Sequence, residues 1–288
     1  MTRPVGSRGV VATIAAGVAL LALAGCGSSA GGVGGEATPG GGAGAAASSA
    51  SATASADTLS GEVTVFAAAS LEPVLDELAA AFVAEHPAVT FAPVTYDGSS
   101  TLATQLAEGA RADVLATADR ASMQDVVDEG LVEGEPTVVT TNTLQIVVPP
   151  GNPDHVGSLA DLGALAGAGG KVVVCAAEVP CGKAAAAVLD AAHVALAPAS
   201  LEQNVTAVLT KVREGEADAG LVYRTDVLRA GDAVEGVDFA ESADAVNEYP
   251  VAVLRGAAAP GAAAAFVDFV LSSEGQALLT ARGFTPAP

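Results

Sequence analysis

Two serines stand where a strand-like run hands the chain to a helix-like one. Ser70 follows Val63-Thr64-Val65-Phe66-Ala67-Ala68-Ala69, and Ser99 follows a second strand-like run, Val89 to Val94, and the turn Asp97-Gly98. At a helix start the backbone N–H groups lack intrahelical partners and point outward along the positive end of the helix dipole. Two such ends facing one another would form an uncharged cage of donors for a small anion, with no lysine or arginine required. Read alone, either serine is an N-cap serving its own helix. Read as nucleophiles, they would need a positioned base. No Gly-x-Ser-x-Gly elbow surrounds either one, and His86, His155 and His193 fall in no catalytic motif. A secreted serine hydrolase is therefore the weaker alternative, and the chain is expected not to be an enzyme.

The elements that must position these serines begin well inside the chain. Arg3 and Arg8 precede a continuous apolar run from Val10 to Ala24, and Leu23-Ala24-Gly25-Cys26 follows. This resembles the lipobox of bacterial lipoproteins, with residues 1–25 as signal peptide and Cys26 as the lipidated residue. The run is short for a membrane span. From Gly27 onward the chain is almost entirely Gly, Ala, Ser and Thr, so residues 26–59 are expected to be a lipidated cysteine and a disordered tether. Such a tether spans on the order of 30 Å. The expected location is the outer face of the cell membrane, reached through the lipid alone.

The 288-residue chain carries 12 Lys and Arg against 33 Asp and Glu, a formal net charge of −21. That balance excludes binding to nucleic-acid phosphates and requires any anion site to work through local dipoles. Tryptophan is absent and aromatics make up 3% of the chain, which argues against a stacking site for sugars or bases. Cys175 and Cys181 are the cysteines left after Cys26. In an exported protein so close a pair is most simply a disulfide. A metal site would need more ligands than nearby His193 supplies, and five intervening residues do not make the Cys-x-x-Cys of a redox protein.

The folded region alternates strand and helix signals, which predicts α/β architecture. Leu71, Val74, Leu75, Leu78 and Phe82 recur at helical spacing up to His86-Pro87. Leu102 and Leu106 mark the helix after Ser99. Short strands are expected over Asp113–Ala116 and Leu144–Val148, the latter closing the first series before Pro149-Pro150. A second series follows: a strand over Lys171–Cys175, the turn Val179-Pro180-Cys181-Gly182 into an alanine-rich helix, a helix near Val205, and a strand ending at Tyr223. Helices are expected to end the chain. Ligands of open α/β sheets sit beyond the carboxyl ends of strands, where most of these groups fall.

Several pieces together resemble the molybdate-binding proteins of bacterial ABC importers. They are Thr64-Val65-Phe66-Ala67-Ala68-Ala69-Ser70-Leu71, Gly98-Ser99-Ser100-Thr101-Leu102-Ala103, Ala112-Asp113-Val114, Val179-Pro180-Cys181-Gly182, Asn204-Val205, Leu221-Val222-Tyr223, Glu248-Tyr249-Pro250-Val251-Ala252-Val253 and Gly283-Phe284-Thr285. The resemblance implies a two-lobed periplasmic-binding fold of type II, each lobe a mainly parallel sheet flanked by helices, joined by two crossovers. Residues 60–143 and 249–288 would form the first lobe and 144–248 the second. It also implies a tetrahedral oxyanion, molybdate or tungstate, held by the hydroxyls of Ser70, Ser99 and Tyr223 and by the amides of Cys181 and Val205. No cofactor and no metal bound directly by side chains is expected. The expected partners are an ABC permease and its ATPase subunits, the binding protein itself being a monomer. Sulfate or another tetrahedral oxyanion is the alternative ligand. A fully ionised oxyanion needs only donors, whereas a partly protonated one also needs an acceptor, and none of the five positions supplies one. Asp97 reads as a turn residue, and Lys183 and Arg224 as rim charges.

Overall fold

The computed structural model describes residues 59–287. The expected signal peptide, Cys26 and the tether through residue 58 lie outside the described residues. In chain order the strands are β1 (Gly61–Val63), β2 (Val65–Ala68), β3 (Val89–Phe91), β4 (Thr95–Asp97), β5 (Val114–Ala116), β6 (Val132–Asn142), β7 (Leu144–Val148), β8 (Val172–Cys175), β9 (Ser200–Glu202), β10 (Ala219–Tyr223), β11 (Glu235–Val237), β12 (Asn247–Leu254) and β13 (Thr285–Pro286). The helices are α1 (Glu72–Glu85), α2 (Ser99–Ala107), α3 (Arg120–Asp128), α4 (Leu159–Gly167), α5 (Pro180–Ala191), α6 (Val205–Arg213), α7 (Arg224–Ala230), α8 (Pro260–Leu271) and α9 (Ser273–Ala281). A single 3-10 turn, Ala69–Leu71, joins β2 to α1.

Two sheets organise these elements. The first has the order β13-β6-β12-β5-β2-β4 and the second β11-β7-β10-β8-β9, with β1 and β3 forming a separate parallel pair. The second sheet has its own core, around Leu144, Ile146, Leu162, Val188, Leu209 and Val222. The first sheet has two cores: one around Leu78, Phe82 and Phe266 beneath α1 and α8, and another around Leu102, Leu115 and Met123 beneath α2 and α3. The apolar face of α1 is the one its spacing predicts, since Val74, Leu75, Leu78 and Phe82 are all buried. Pro73 suits the first turn, where its missing N–H costs nothing, and Pro87 lies just past the end.

The architecture is α/β in two lobes, as expected, but both sheets are mixed. β2 pairs in parallel with β4 and β5, and β8 pairs in parallel with β9 and β10. These parallel strands carry the turns with the candidate residues. The antiparallel pairs involve the strands that run between the sheets and the sheet margins: β6 with β12 and β13, β12 with β5, and β7 with β10 and β11. β7 thus opens the second sheet instead of closing the first series. The chain passes from one sheet to the other at Thr143 and returns at Asn247, and Asn142 and Asn247 are register partners in β6 and β12. The two crossing strands therefore lie side by side.

Among the described residues no single helix is long and apolar enough to cross a membrane.

Candidate functional site

All five candidate positions line one small cavity, although they come from five different turns. Ser70 sits in the 3-10 turn after β2, Ser99 is the first residue of α2, Cys181 the second of α5, Val205 the first of α6, and Tyr223 the last of β10. Ser70 and Ser99 come from the first sheet's side and the other three from the second. Ala68, Ala69, Gly98, Ala118 and Pro180 complete much of the wall. The void is small, too small for a sugar or a peptide. Four helix starts therefore converge on it, and their first N–H groups have no intrahelical acceptor.

The hydrogen bonds rule out the N-cap reading of both serines. The cap of α2 is Gly98, with no side-chain bond, and the turn containing Ser70 has no side-chain cap either. Ser99 Oγ instead accepts the N–H of Ala118, beyond β5, at 2.9 Å. Ser70 Oγ lies 2.9 Å from the hydroxyl of Tyr249, in β12. α5 likewise starts without a side-chain cap, and Pro180 at its first position has no N–H to satisfy. α3, α4 and α9, away from the cavity wall, are each capped, by Asp119, Ser158 and Ser272. α6 is the exception: it starts at the cavity yet is capped by Asn204, which accepts the N–H of Ala207.

Tyr223 is 1% exposed, and its hydroxyl has no hydrogen-bond partner. A buried hydroxyl without a partner costs about 1–3 kcal/mol, and Tyr223 carries this burden while lining the void. Burial, followed by the neighbouring Tyr249, Asp119 and Asp226, holds its pKa well above the ordinary tyrosine value. It therefore stays protonated and able to donate. Asp226 accepts the backbone N–H of Tyr223 at 3.1 Å. Burial outweighs the Arg229 ion pair and pushes the Asp226 carboxyl up to about 7.

Among the described residues, no lysine or arginine lines the cavity. Lys183 Nζ is held by Asp119 Oδ2 at 2.9 Å, a bridge from α5 to the cap of α3 at the rim. Arg224 is exposed at the start of α7. Asp97 ends β4, and its Oδ1 accepts from Gly98 N at 2.7 Å and from Asn204 Nδ2 at 3.0 Å. It fixes its own turn, as the sequence suggests, and also ties the two sides together. Cys175 and Cys181 form a disulfide with Cα atoms 5.7 Å apart, joining the end of β8 to the start of α5. Among the described residues no cluster of His, Cys, Asp or Glu could hold a bare metal ion.

Sequence reasoning missed the groups that hold the serines from behind. Tyr249, Asn142 and Ala118 are remote in the chain, 179 residues separating Ser70 from Tyr249. The only trace in the sequence was Tyr249 in the run Glu248–Val253, polar tips being unusual in a strand that is otherwise apolar from there on.

Comparison with known proteins bears on the same residues. The family model for "Bacterial extracellular solute-binding protein" matches residues 63–285. The molybdate-binding protein ModA of Mycobacterium tuberculosis is 45% identical over 222 residues, covering 77% of this chain and 84% of the relative. The solved periplasmic molybdate-binding protein of Azotobacter vinelandii shares the fold, with a TM-score of 0.64 at 20% identity, covering 78% of this chain and all (100%) of that one. So does the sulfate-binding protein SubI from Mycobacterium tuberculosis, with a TM-score of 0.68 at 20% identity over 78% of this chain and 87% of that one. These relatives bind solutes and are not enzymes. With the match running through both sheets and every candidate turn, the chain belongs to the bacterial extracellular solute-binding proteins.

Proposed function

We propose that this protein captures molybdate, and tungstate of like shape, outside the cytoplasm and delivers it to an ABC permease. The ion is held by the hydroxyls of Ser70, Ser99 and Tyr223 and by the amides of Cys181 and Val205, and the two lobes close on it about Thr143 and Asn247. One observation carries this reading. A fully buried tyrosine hydroxyl with no partner faces a void that two more hydroxyls and four helix starts also line. A doubly charged oxyanion restores the missing bonds, each charge-assisted one contributing about 1.5–3 kcal/mol, without a lysine or arginine. The identity to the mycobacterial ModA favours molybdate. The similarity to the sulfate-binding SubI concerns the fold alone.

Anchoring by a lipid on Cys26 is part of the same reading, supported by Leu23-Ala24-Gly25-Cys26. So are ABC permease and ATPase partners and a monomeric state. Calorimetric titration of the purified protein with molybdate, tungstate, sulfate and phosphate tests the ligand. Tight molybdate and tungstate binding is expected. Sulfate or phosphate binding in its place would overturn the assignment.

A further inference from the structure

The groups behind Ser70 dictate which way its proton points. Tyr249 is fully buried, 0% exposed, and its hydroxyl touches Ser70 Oγ at 2.9 Å and Asn142 Nδ2 at 3.4 Å. Asn142 is oriented by its own contacts: Oδ1 accepts Thr143 N at 3.0 Å, and Nδ2 donates to Thr225 Oγ1 at 2.8 Å. Its amide nitrogen is therefore the atom that faces Tyr249, and it is a donor. The Tyr249 proton cannot turn toward a donor, and leaving it without an acceptor in a site closed to water would cost about 1–3 kcal/mol. Ser70 Oγ is the acceptor within reach. The Tyr249 hydroxyl thus donates to Ser70, and the Ser70 proton is released toward the void.

We infer that Tyr249, set by Asn142, is a positioning residue that fixes Ser70 as a donor toward the ion. On the same side of the cavity the N–H of Ala118 does the same for Ser99. Tyr223, which has no acceptor of its own, completes a set of three outward-facing hydroxyl protons. A cage so wired has hydroxyl donors and no hydroxyl acceptor. It selects oxyanions that carry no proton over equally charged ones that do, such as hydrogen phosphate. Size need not act for that discrimination. The donor-only character belongs to the hydroxyls: Asp97, a carboxylate also in the wall, is engaged through its Oδ1, which accepts Gly98 N and Asn204 Nδ2.

This inference rests on the proposed anion site, and a thermodynamic cycle separates the two. Molybdate affinity is measured for the wild type, Tyr249→Phe, Ser70→Ala and the double variant. Removing the tyrosine hydroxyl is expected to weaken binding about tenfold in the wild-type background and less than about twofold in the Ser70→Ala background. A merely structural tyrosine would cost the same in both. Asn142→Asp provides a second variant: a carboxylate there accepts the Tyr249 proton, so Ser70 donates backward and turns an acceptor to the ion. The ratio of molybdate to hydrogen phosphate affinity, measured in mildly alkaline buffer where both are dianions, is then expected to fall about tenfold. The added charge acts on both ions and cancels in that ratio. Equal losses in the two backgrounds, no loss on Tyr249→Phe, or an unmoved ratio would each overturn the inference. If the wild type binds sulfate and not molybdate, the ligand assignment fails and the cycle is run on sulfate. A wild type that holds no tetrahedral anion overturns both.

Discussion

At the scale of the residue, the site sets stability against binding, and two hydroxyls divide that conflict differently. Tyr223 donates to nothing within the protein, so Tyr223→Phe removes a burden on the ligand-free fold. The variant is expected to melt at or slightly above the wild-type temperature while losing at least about tenfold in molybdate affinity, one charge-assisted bond's worth. Ser99 carries both duties. Its oxygen accepts Ala118 N in a buried place, so Ser99→Ala strands that N–H as well as removing a donor to the ion. Affinity and ligand-free stability should fall together, the latter by about 1–3 kcal/mol. Calorimetry and thermal melting of the two variants side by side check this. A destabilised Tyr223→Phe would mean that its hydroxyl is bonded in the free protein.

At the scale of the element, the start of α5 is pinned twice. Gly182 lies so close to β8's exit that a Cβ there would sit 1.7 Å from the Ala176 carbonyl oxygen, and the disulfide joins the preceding residue to Cys175. The glycine contact is enough to place the Cys181 amide, which leaves the disulfide as a constraint mainly on the unfolded chain. Replacing both cysteines by alanine is expected to cost about 2 kcal/mol, or roughly 5 °C in melting temperature for a domain of this size, while molybdate affinity moves less than about threefold. An unchanged melting temperature would count against this. The same element shows what a sequence makes legible. Val179-Pro180-Cys181-Gly182 announced its own turn, because proline and glycine act locally. So did Ser70 and Ser99, at the joints of strand and helix. β6 did not: Gly134 and Pro136 within Val132–Asn142 disfavour a strand, the run drew no assignment from its sequence, and pairing with β12 makes it one. The apolar residues of β7 did not by themselves tell which sheet it joins, since they fit either core. The hydroxyl relay behind Ser70 was beyond reach because it is built from contacts between distant segments.

At the scale of the whole molecule, the proposed function needs the two sides to meet, and Gly98 is a place where they meet closely. A Cβ on Gly98 would lie 2.3 Å from the carbonyl oxygen of Gln203 and 3.1 Å from Val179 Cγ1, both on the second sheet's side. Around this contact, Asp97 bonds Asn204, Lys183 pairs with Asp119 at 2.9 Å, and Arg229 pairs with Glu72 at 2.9 Å. These exposed or half-exposed bridges each contribute little on their own, so they favour closure without locking it. The backbone at Gly98 is extended, with φ −62°, ψ 136°, a conformation alanine adopts without strain. Gly98→Ala should therefore fold normally and fail only when the lobes come together. Its ligand-free melting temperature is expected to stay within about 2 °C of wild type, as for a substitution with no local strain. Its molybdate affinity should fall by about a hundredfold or more, because a clash with backbone cannot be relieved by rotating a side chain. Small-angle scattering supplies the geometric check. The wild type should contract on adding molybdate, and the alanine variant should not. Contraction of both would place the closest approach of the lobes away from Gly98.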